Sequence, residues 1–118
     1  MLGAIAMFMA VALGAFGAHA LKARLAPDMA AVWQTAVQYH AWHALALVAV
    51  GILLVQDPNR AGLAWAVSLF AAGIVLFSGS LYVMALTGVR GLGAITPLGG
   101  VCWLAGWAAL AWAAYKTP

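Results

Sequence analysis

The chain has 118 residues, of which 68% are hydrophobic and 6% are charged, and its formal net charge is +3. Soluble domains carry about 25% charged residues, and the five basic and two acidic residues of this chain cannot give a hydrophobic core a polar surface. The composition therefore excludes a soluble globular domain, and the scattered Lys and Arg residues exclude a basic patch for nucleic acid.

Four apolar runs are long enough to cross a bilayer, which takes about 20 residues of helix. They lie at residues 2–21, 36–55, 61–86 and 97–115, and every charged residue falls between or beyond them. Short connections favour antiparallel neighbours. We therefore predict an all-α integral membrane protein, an antiparallel up-down bundle of four transmembrane helices. The single predicted membrane domain covers residues 1–118, with helices at approximately 2–22, 29–56, 61–87 and 97–116.

The segment GAFGAHALK, residues 14–22, ends the first run and has three interpretations. It is the end of a signal peptide, a metal-binding histidine segment, or the packing end of a membrane helix. No Lys or Arg precedes the run, and the run is longer than a signal peptide needs. Gly14 and Gly17 extend a stripe of small residues that includes Gly3 and Ala10, which predicts a close helix–helix contact. We therefore favour a spanning helix.

The second helix is expected to begin in the sequence LAPDM, with Asp28 as its N-cap, and to end at the turn sequence QDPNR. Its first half carries several polar side chains, among them Gln34 and Gln38. The predicted helix is longer than the hydrocarbon layer is thick. We therefore expect this half to lie in the headgroup zone or along a polar cleft.

The third and fourth helices each carry a stripe that predicts a packing face. The third stripe contains Ser68, Ala72, Val75, Gly79, Tyr82 and Leu86, and the fourth contains Gly99, Trp103, Gly106 and Leu110. Ser78 and Ser80 flank the third stripe, where serine more often bonds its own helix than a neighbouring one. Thr96 is the expected N-cap of the fourth helix, with Pro97 at the first helical position. The tryptophans and Cys102 are interpreted as anchoring and packing residues.

The three histidines, His19, His40 and His43, are expected in the same half of the membrane because antiparallel helices place the end of the first beside the start of the second. Imidazole binds zinc, copper and haem iron, so binding of a metal or haem by these three residues is one alternative. No Asp or Glu lies within a span to support such a site, and we predict no metal and no cofactor. The same absence disfavours proton-coupled transport and hydrolysis, so no catalytic residue is assigned and the protein is not expected to be an enzyme.

Four segments, taken in order, resemble one known family. They are GAFGAHALK (14–22), WQTAVQYHAWHALAL (33–47), FSGSLYVMALTG (77–88), and LGAITPLGG (92–100) followed by AGW (105–107). Together they are similar to the family called domain of unknown function 423, which includes the eukaryotic transmembrane protein 256. The resemblance implies a bacterial inner-membrane protein with four spans and no assigned activity. The family-like positions are Gly14, Phe16, Gly17, His19, Trp33, Ala36, Tyr39, His43, Ser78, Gly79, Ser80, Tyr82, Thr96, Pro97, Gly99 and Gly100.

The leading hypothesis is a small, self-associating helical binding or interaction module whose partners are the lipid bilayer and further copies of the chain. Its small-molecule ligand is not identified by the sequence. The alternatives are an oligomeric channel or transporter for a small solute or ion, and metal or haem binding by the histidines. The expected ligand-binding residues are His19, Tyr39, His43, Ser78, Ser80 and Tyr82, and the expected helix-packing residues are Gly14, Gly17, Gly79, Gly99 and Gly106.

Overall fold

The structure is a computed structural model that describes residues 1–115, so the end predicted for the fourth helix at residue 116 lies outside the described residues. Its long helices are α1 at Leu2–Leu21, α2 at Pro27–Gln56, α3 at Leu63–Thr87 and α4 at Thr96–Tyr115, and a short 3₁₀ helix at Arg90–Ala94 precedes α4. Four helices within residues 1–115 are long and apolar enough to cross a membrane. The predicted fold class, an all-α protein with four membrane spans, is confirmed.

Two glycines allow the chain to reverse at the ends of α3. Gly62 precedes α3 with a φ of 96°, and Gly88 follows it with a φ of 74°. Both angles lie in the left-handed region, where a side chain is strained and glycine is not. Because these connections are short, α3 runs antiparallel to both α2 and α4.

Neither of the two predicted N-caps serves as a cap. α2 begins at Pro27, whose fixed φ suits the first helical position, and Asp28 lies within the first turn. The Asp28 carboxylate instead accepts a hydrogen bond from Arg90 at 2.6 Å. Thr96 is itself the first residue of α4, and its hydroxyl lies 2.8 Å from that of Ser80. Both side chains therefore connect separate parts of the chain.

The helices pack as two antiparallel pairs. α1 packs mainly on α2, α4 packs mainly on α3, and α2 and α3 join the pairs. The Cα atoms extend over 53 × 26 × 15 Å, so the bundle is flattened. In α1, the small-residue stripe faces α2, where Gly17 lies against Trp33 and a Cβ on Gly14 would lie 3.3 Å from Val37.

The contact between α3 and α4 alternates large and small side chains on both helices. Phe70 and Phe77 of α3 lie against Gly106 and Gly99 of α4. Between them the order is reversed, since Trp103 of α4 lies against Gly73 of α3. Small residues let membrane helices approach closely, and the three large rings fill the space so created.

Only part of the stripe predicted for α3 forms a contact within the chain, since Tyr82 meets Trp33 and His40 of α2. Ser68, Val75 and Leu86 are exposed, and a Cβ on Gly79 would meet only the carbonyl oxygen of Ile74, at 3.9 Å. The structure therefore does not support the packing role predicted for Gly79. In lipid every face of a helix can be apolar, so spacing alone does not say which face is covered.

Two helices contain a π-helical segment, Gly17–Leu21 in α1 and Ile74–Gly79 in α3. At each transition one backbone N–H is shared between two carbonyl oxygens, those of Leu13 and Gly14 in α1 and those of Phe70 and Ala71 in α3. A tryptophan of the partner helix donates its indole N–H to the earlier carbonyl in each pair, Trp33 to Leu13 at 3.0 Å and Trp103 to Phe70 at 3.3 Å. Both helix pairs are therefore held by the same arrangement, a tryptophan of one helix bonded at the start of the π-helical segment of the other.

Candidate functional site

A cluster of aromatic rings and one histidine lies where α2, α3 and α4 meet. α2 contributes Tyr39 and His43, and α4 contributes Trp103 and Trp107, each pair four residues apart and so on one helix face. We call these four residues the histidine cluster. The alternating contact of α3 with α4 holds Trp103 in place, and Trp103 in turn supports the residues of α2.

The imidazole of His43 stacks on the indole of Trp103. The ring centroids are 3.7 Å apart and the planes differ by 2°. The Tyr39 ring is nearly parallel to both, at 6.4 Å from His43 and 5.8 Å from Trp103. His43 is 6% exposed, so its ring is enclosed by aromatic faces and not by lipid or water.

Both ring nitrogens of His43 have hydrogen-bond partners, and the partners define the tautomer. Nδ1 lies 2.8 Å from the carbonyl oxygen of Tyr39, which can only accept, so Nδ1 carries the hydrogen. Nε2 lies 3.2 Å from the indole nitrogen of Trp107, which can only donate, so Nε2 is an acceptor. His43 is therefore a neutral imidazole that connects α2 to α4.

A groove of about 470 Å³ runs beside the histidine cluster. Its lining comprises Tyr39, His43, Phe77, Pro97, Gly100, Val101, Trp103, Leu104 and Trp107. The outer side is open, since Val101 and Leu104 are exposed and Trp107 is 46% exposed. Gly100 has no atom within 4 Å of the position a Cβ would take, so the groove there is free of protein. The volume lies within the range of small-molecule sites.

His40 and His43 lie near the middle of α2. His43 is about 24 Å from the start of α2, a helix about 45 Å long. The exposed Gln34 and Gln38 precede both histidines. The first half of α2 was expected in the headgroup zone or along a polar cleft, and its side chains Gln34, Thr35 and Gln38 do line one groove.

The other predicted site residues make separate contacts. Ser78 donates to the carbonyl of Ala36 in α2 at 2.8 Å. Ser80 donates to the carbonyl of Phe77 at 2.9 Å, and since its single hydrogen is used there, Thr96 donates to Ser80. Ser78 thus bonds across helices, whereas the sequence favoured a bond within its own helix.

Tyr82 pairs with His40 in a second groove, which lies between α1 and α3. The Tyr82 hydroxyl is 3.2 Å from Nδ1 of His40. The walls of this groove include Ala6, Val75 and Gly79. α3 separates it from the groove beside the histidine cluster, so Tyr82 and His43 do not form one site.

The structure does not bring the three histidines together. His19 is exposed in the π-helical end of α1, while His40 and His43 line different grooves. Within residues 1–115 no group of three His, Cys, Asp or Glu residues could share a metal ion. The geometry therefore does not support the alternative of one metal or haem site built from all three histidines.

Among the described residues, the buried polar side chains stop at the level of His43. Towards the carboxyl end of α2 the interior is filled by a cluster of buried apolar side chains, namely Ala46, Leu47, Val50, Leu63, Ala66, Phe70 and Ala113 together with Trp103. Buried polar side-chain atoms in the described residues all have hydrogen-bond partners. Within residues 1–115 the buried polar region therefore ends part-way along the bundle, and the interior beyond it is apolar.

Sequence reasoning assigned Trp103 and Trp107 to anchoring and packing, and it gave no site role to Phe77, Pro97 or Gly100. A usable signal was available for the two tryptophans. Tyr39 and His43 on one helix and Trp103 and Trp107 on another have the same spacing of four. Two matched aromatic pairs on antiparallel helices indicate a shared face once the helices are known to meet.

Comparisons with known proteins give the family. A family model described as a protein of unknown function, DUF423, matches residues 13–100. The UPF0382 membrane protein YwdK of Bacillus subtilis is 48% identical over 115 residues, which cover 98% of this chain and 94% of that protein. UPF0382 membrane proteins of Staphylococcus epidermidis and Staphylococcus haemolyticus are 46% and 44% identical, with 98% of this chain and 93% of each relative covered. No solved structure matches. These relatives, all named as membrane proteins, are similar to this chain over nearly its whole length. Since the family model also matches most of the chain, the chain belongs to the DUF423 family.

Proposed function

We propose that this protein is a binding module of the bacterial inner membrane that takes a membrane-dissolved amphiphile into the groove beside the histidine cluster. The observation that carries the proposal is the position of His43. A buried, neutral imidazole lies at the inner wall of a groove that is open towards lipid, and a half-exposed ring, Trp107, covers its acceptor nitrogen.

A binding role is favoured over catalysis by the positions of the carboxylates. Asp28 pairs with Arg90 and Asp57 pairs with Arg60, both pairs lie at helix ends, and neither aspartate lines the groove. His43 has no acidic partner in the described chain that could support a general base. A channel is disfavoured because the apolar cluster fills the interior beyond His43.

The groove suits a ligand that arrives sideways from the bilayer. Its open side consists of apolar residues such as Val101 and Leu104, which an acyl or isoprenoid chain can contact. A concave apolar surface in a bilayer is filled by hydrocarbon in any case, so selectivity has to come from the polar group at its inner end. In this groove that group is His43.

Ligand retention can be tested with the protein extracted from bacterial membranes in native nanodiscs. Mass spectrometry of the extracted lipids should reveal one amphiphile enriched over the bulk membrane composition. Gly100→Leu places a side chain in the free part of the groove and should abolish the enrichment. Gly51→Leu is the matched control, because Gly51 also has no atom within 4 Å of a Cβ but lies outside this groove. Equal lipid compositions in all three samples would contradict the proposal.

Self-association is a second proposed property, and the outward face of α3 supports it. The small-residue stripes of α1 and α4 pack within the chain, whereas Ser68, Val75 and Leu86 of the α3 stripe are exposed and can make another contact. In a Cys102→Ser background, Val75→Cys should give a disulfide-linked dimer in oxidised native membranes. Val11→Cys is the control, since Val11 and Val75 are 65% and 69% exposed on different helices. Monomer alone at Val75→Cys, or equal dimer at both positions, would count against this interface.

A further inference from the structure

We propose that the groove beside the histidine cluster selects amphiphiles whose uncharged head donates a hydrogen bond, namely alcohols and phenols, over heads that can only accept one. This inference rests on the proposed binding function and names the ligand class of the same site. It follows from the hydrogen-bond partners of His43.

The acceptor character of Nε2 is imposed by the backbone. The Tyr39 carbonyl oxygen fixes the hydrogen on Nδ1, and a neutral imidazole has one such hydrogen. Nε2 therefore offers a lone pair to whatever lies in front of it. A hydroxyl can donate to this lone pair, while an ether, ester or ketone oxygen cannot, and would place two acceptors face to face.

Trp107 is the group that a ligand would replace. Its indole N–H now donates to Nε2 at 3.2 Å, and the ring makes an edge contact with Phe70 at a centroid distance of 4.9 Å. Trp107 is 46% exposed, so its ring can turn towards lipid without opening the protein interior. A ligand hydroxyl would then take over the same bond, so that Nε2 of His43 keeps a donor.

The charge of the head is limited by the lining. No acidic side chain lies among the residues that line the groove, so an ammonium head would be left there without a counter-charge. A carboxylate or phosphate would place a negatively charged oxygen against the Nε2 lone pair, and the two would repel each other. The remaining donor heads are uncharged, and among these an alcohol or phenol on an apolar chain presents a single O–H to Nε2.

The test uses the full chain in liposomes and a matched pair of competitors. A hexadecanol that carries a photoreactive diazirine in its chain labels the protein, and labelled peptides are mapped by mass spectrometry. Unlabelled hexadecanol and hexadecyl methyl ether then compete for the labelling of the groove peptides. The two competitors share a chain and an oxygen and differ in the donated hydrogen.

The alcohol should compete about tenfold better than the ether, as expected for one buried acceptor left unpaired. Trp107→Phe keeps a ring and removes the competing N–H, so labelling by the alcohol should strengthen by about three- to tenfold. His43→Phe keeps a ring against Trp103 and should make alcohol and ether equal. Should His43→Phe fail to fold, the ratio of competition by the alcohol to competition by the ether, measured in the wild type and in Trp107→Phe, still tests the preference for donors.

The outcomes separate the inference from the proposed function. Groove labelling with equal competition by alcohol and ether in the wild type would overturn the preference for donors and leave the binding site intact. Labelling spread over all lipid-facing peptides, unchanged by Gly100→Leu, would overturn the binding site and the preference together.

Discussion

The imidazole of His43 lies flat on the indole of Trp103, with ring centroids 3.7 Å apart. Trp103 is held by a hydrogen bond to the Phe70 carbonyl at 3.3 Å and by its close approach to Gly73. The orientation of a histidine on α2 therefore depends on a glycine on α3, through a tryptophan on α4.

Gly73→Ala is expected to destabilise the protein, because the added Cβ would overlap the indole of Trp103. Overpacking of this kind costs about 1–3 kcal/mol. The measurement is thermal unfolding of the purified protein in detergent. Gly79→Ala is the control, since its Cβ meets only a carbonyl oxygen at 3.9 Å, and it should be neutral or slightly stabilising. Similar melting temperatures for the two variants would contradict the packing described for α3 and α4.

Trp103→Phe should lower the melting temperature far more than Trp65→Phe. The first change removes the indole N–H that bonds the Phe70 carbonyl and leaves a cavity in a buried contact, at a cost of about 1–3 kcal/mol. Trp65 is 70% exposed, so its loss changes mostly lipid contacts. If Trp65→Phe were the more damaging change, the α3–α4 contact would not be the main source of stability.

Ser78→Ala tests the hydrogen bond between α3 and α2. Its hydroxyl donates to the Ala36 carbonyl at 2.8 Å, and such bonds in membrane bundles contribute about 0.6 kcal/mol on average. Unfolding in mixed micelles should detect a loss of that size. Ser68→Ala is the matched control, because Ser68 donates to Ala64 of its own helix and is exposed. An equal effect for both serines would mean that the bond across helices adds nothing.

The separation of the three histidines predicts that no metal ion binds through all of them. Protein purified without chelator should contain less than one metal ion per chain by elemental mass spectrometry. The variant His19→Ala, His40→Ala, His43→Ala should give the same metal content as the wild type. One metal ion per wild-type chain that is lost in this variant would contradict the separation of the three histidines.

The number and position of the spans could be predicted because hydropathy adds up along the chain. Every run that is long enough and free of charge becomes a crossing, whatever its neighbours are. The predicted helix at 61–87 corresponds to the observed α3 at Leu63–Thr87 for this reason. The loop chemistry was harder to predict, since Asp28 and Thr96 found partners on other segments instead of capping their own helices.

The contacts between helices were predictable only in part. The stripe on α4 could be recognised from its alternation of Gly99, Trp103 and Gly106, because small and large residues at one spacing fit a complementary helix. The α3 stripe has similar spacing, but Ser68 and Val75 face outward while Tyr82 faces α2. The π-helical segment Ile74–Gly79 changes the helical register part-way along α3, which a constant spacing of 3.6 residues cannot anticipate.

By itself the sequence determined that this protein lies in a lipid bilayer and how often the chain crosses it. Both depend on hydropathy summed over neighbouring residues. Only the tertiary structure decided that His43 contacts Trp103 and Trp107 and that His40 contacts Tyr82. It also decided that His19 is exposed and lies apart from both of these contacts. The physical reason is that lipid attracts all apolar faces equally. Which face meets which partner is therefore decided by shape and by single hydrogen bonds between helices, and these exist only once the helices are side by side.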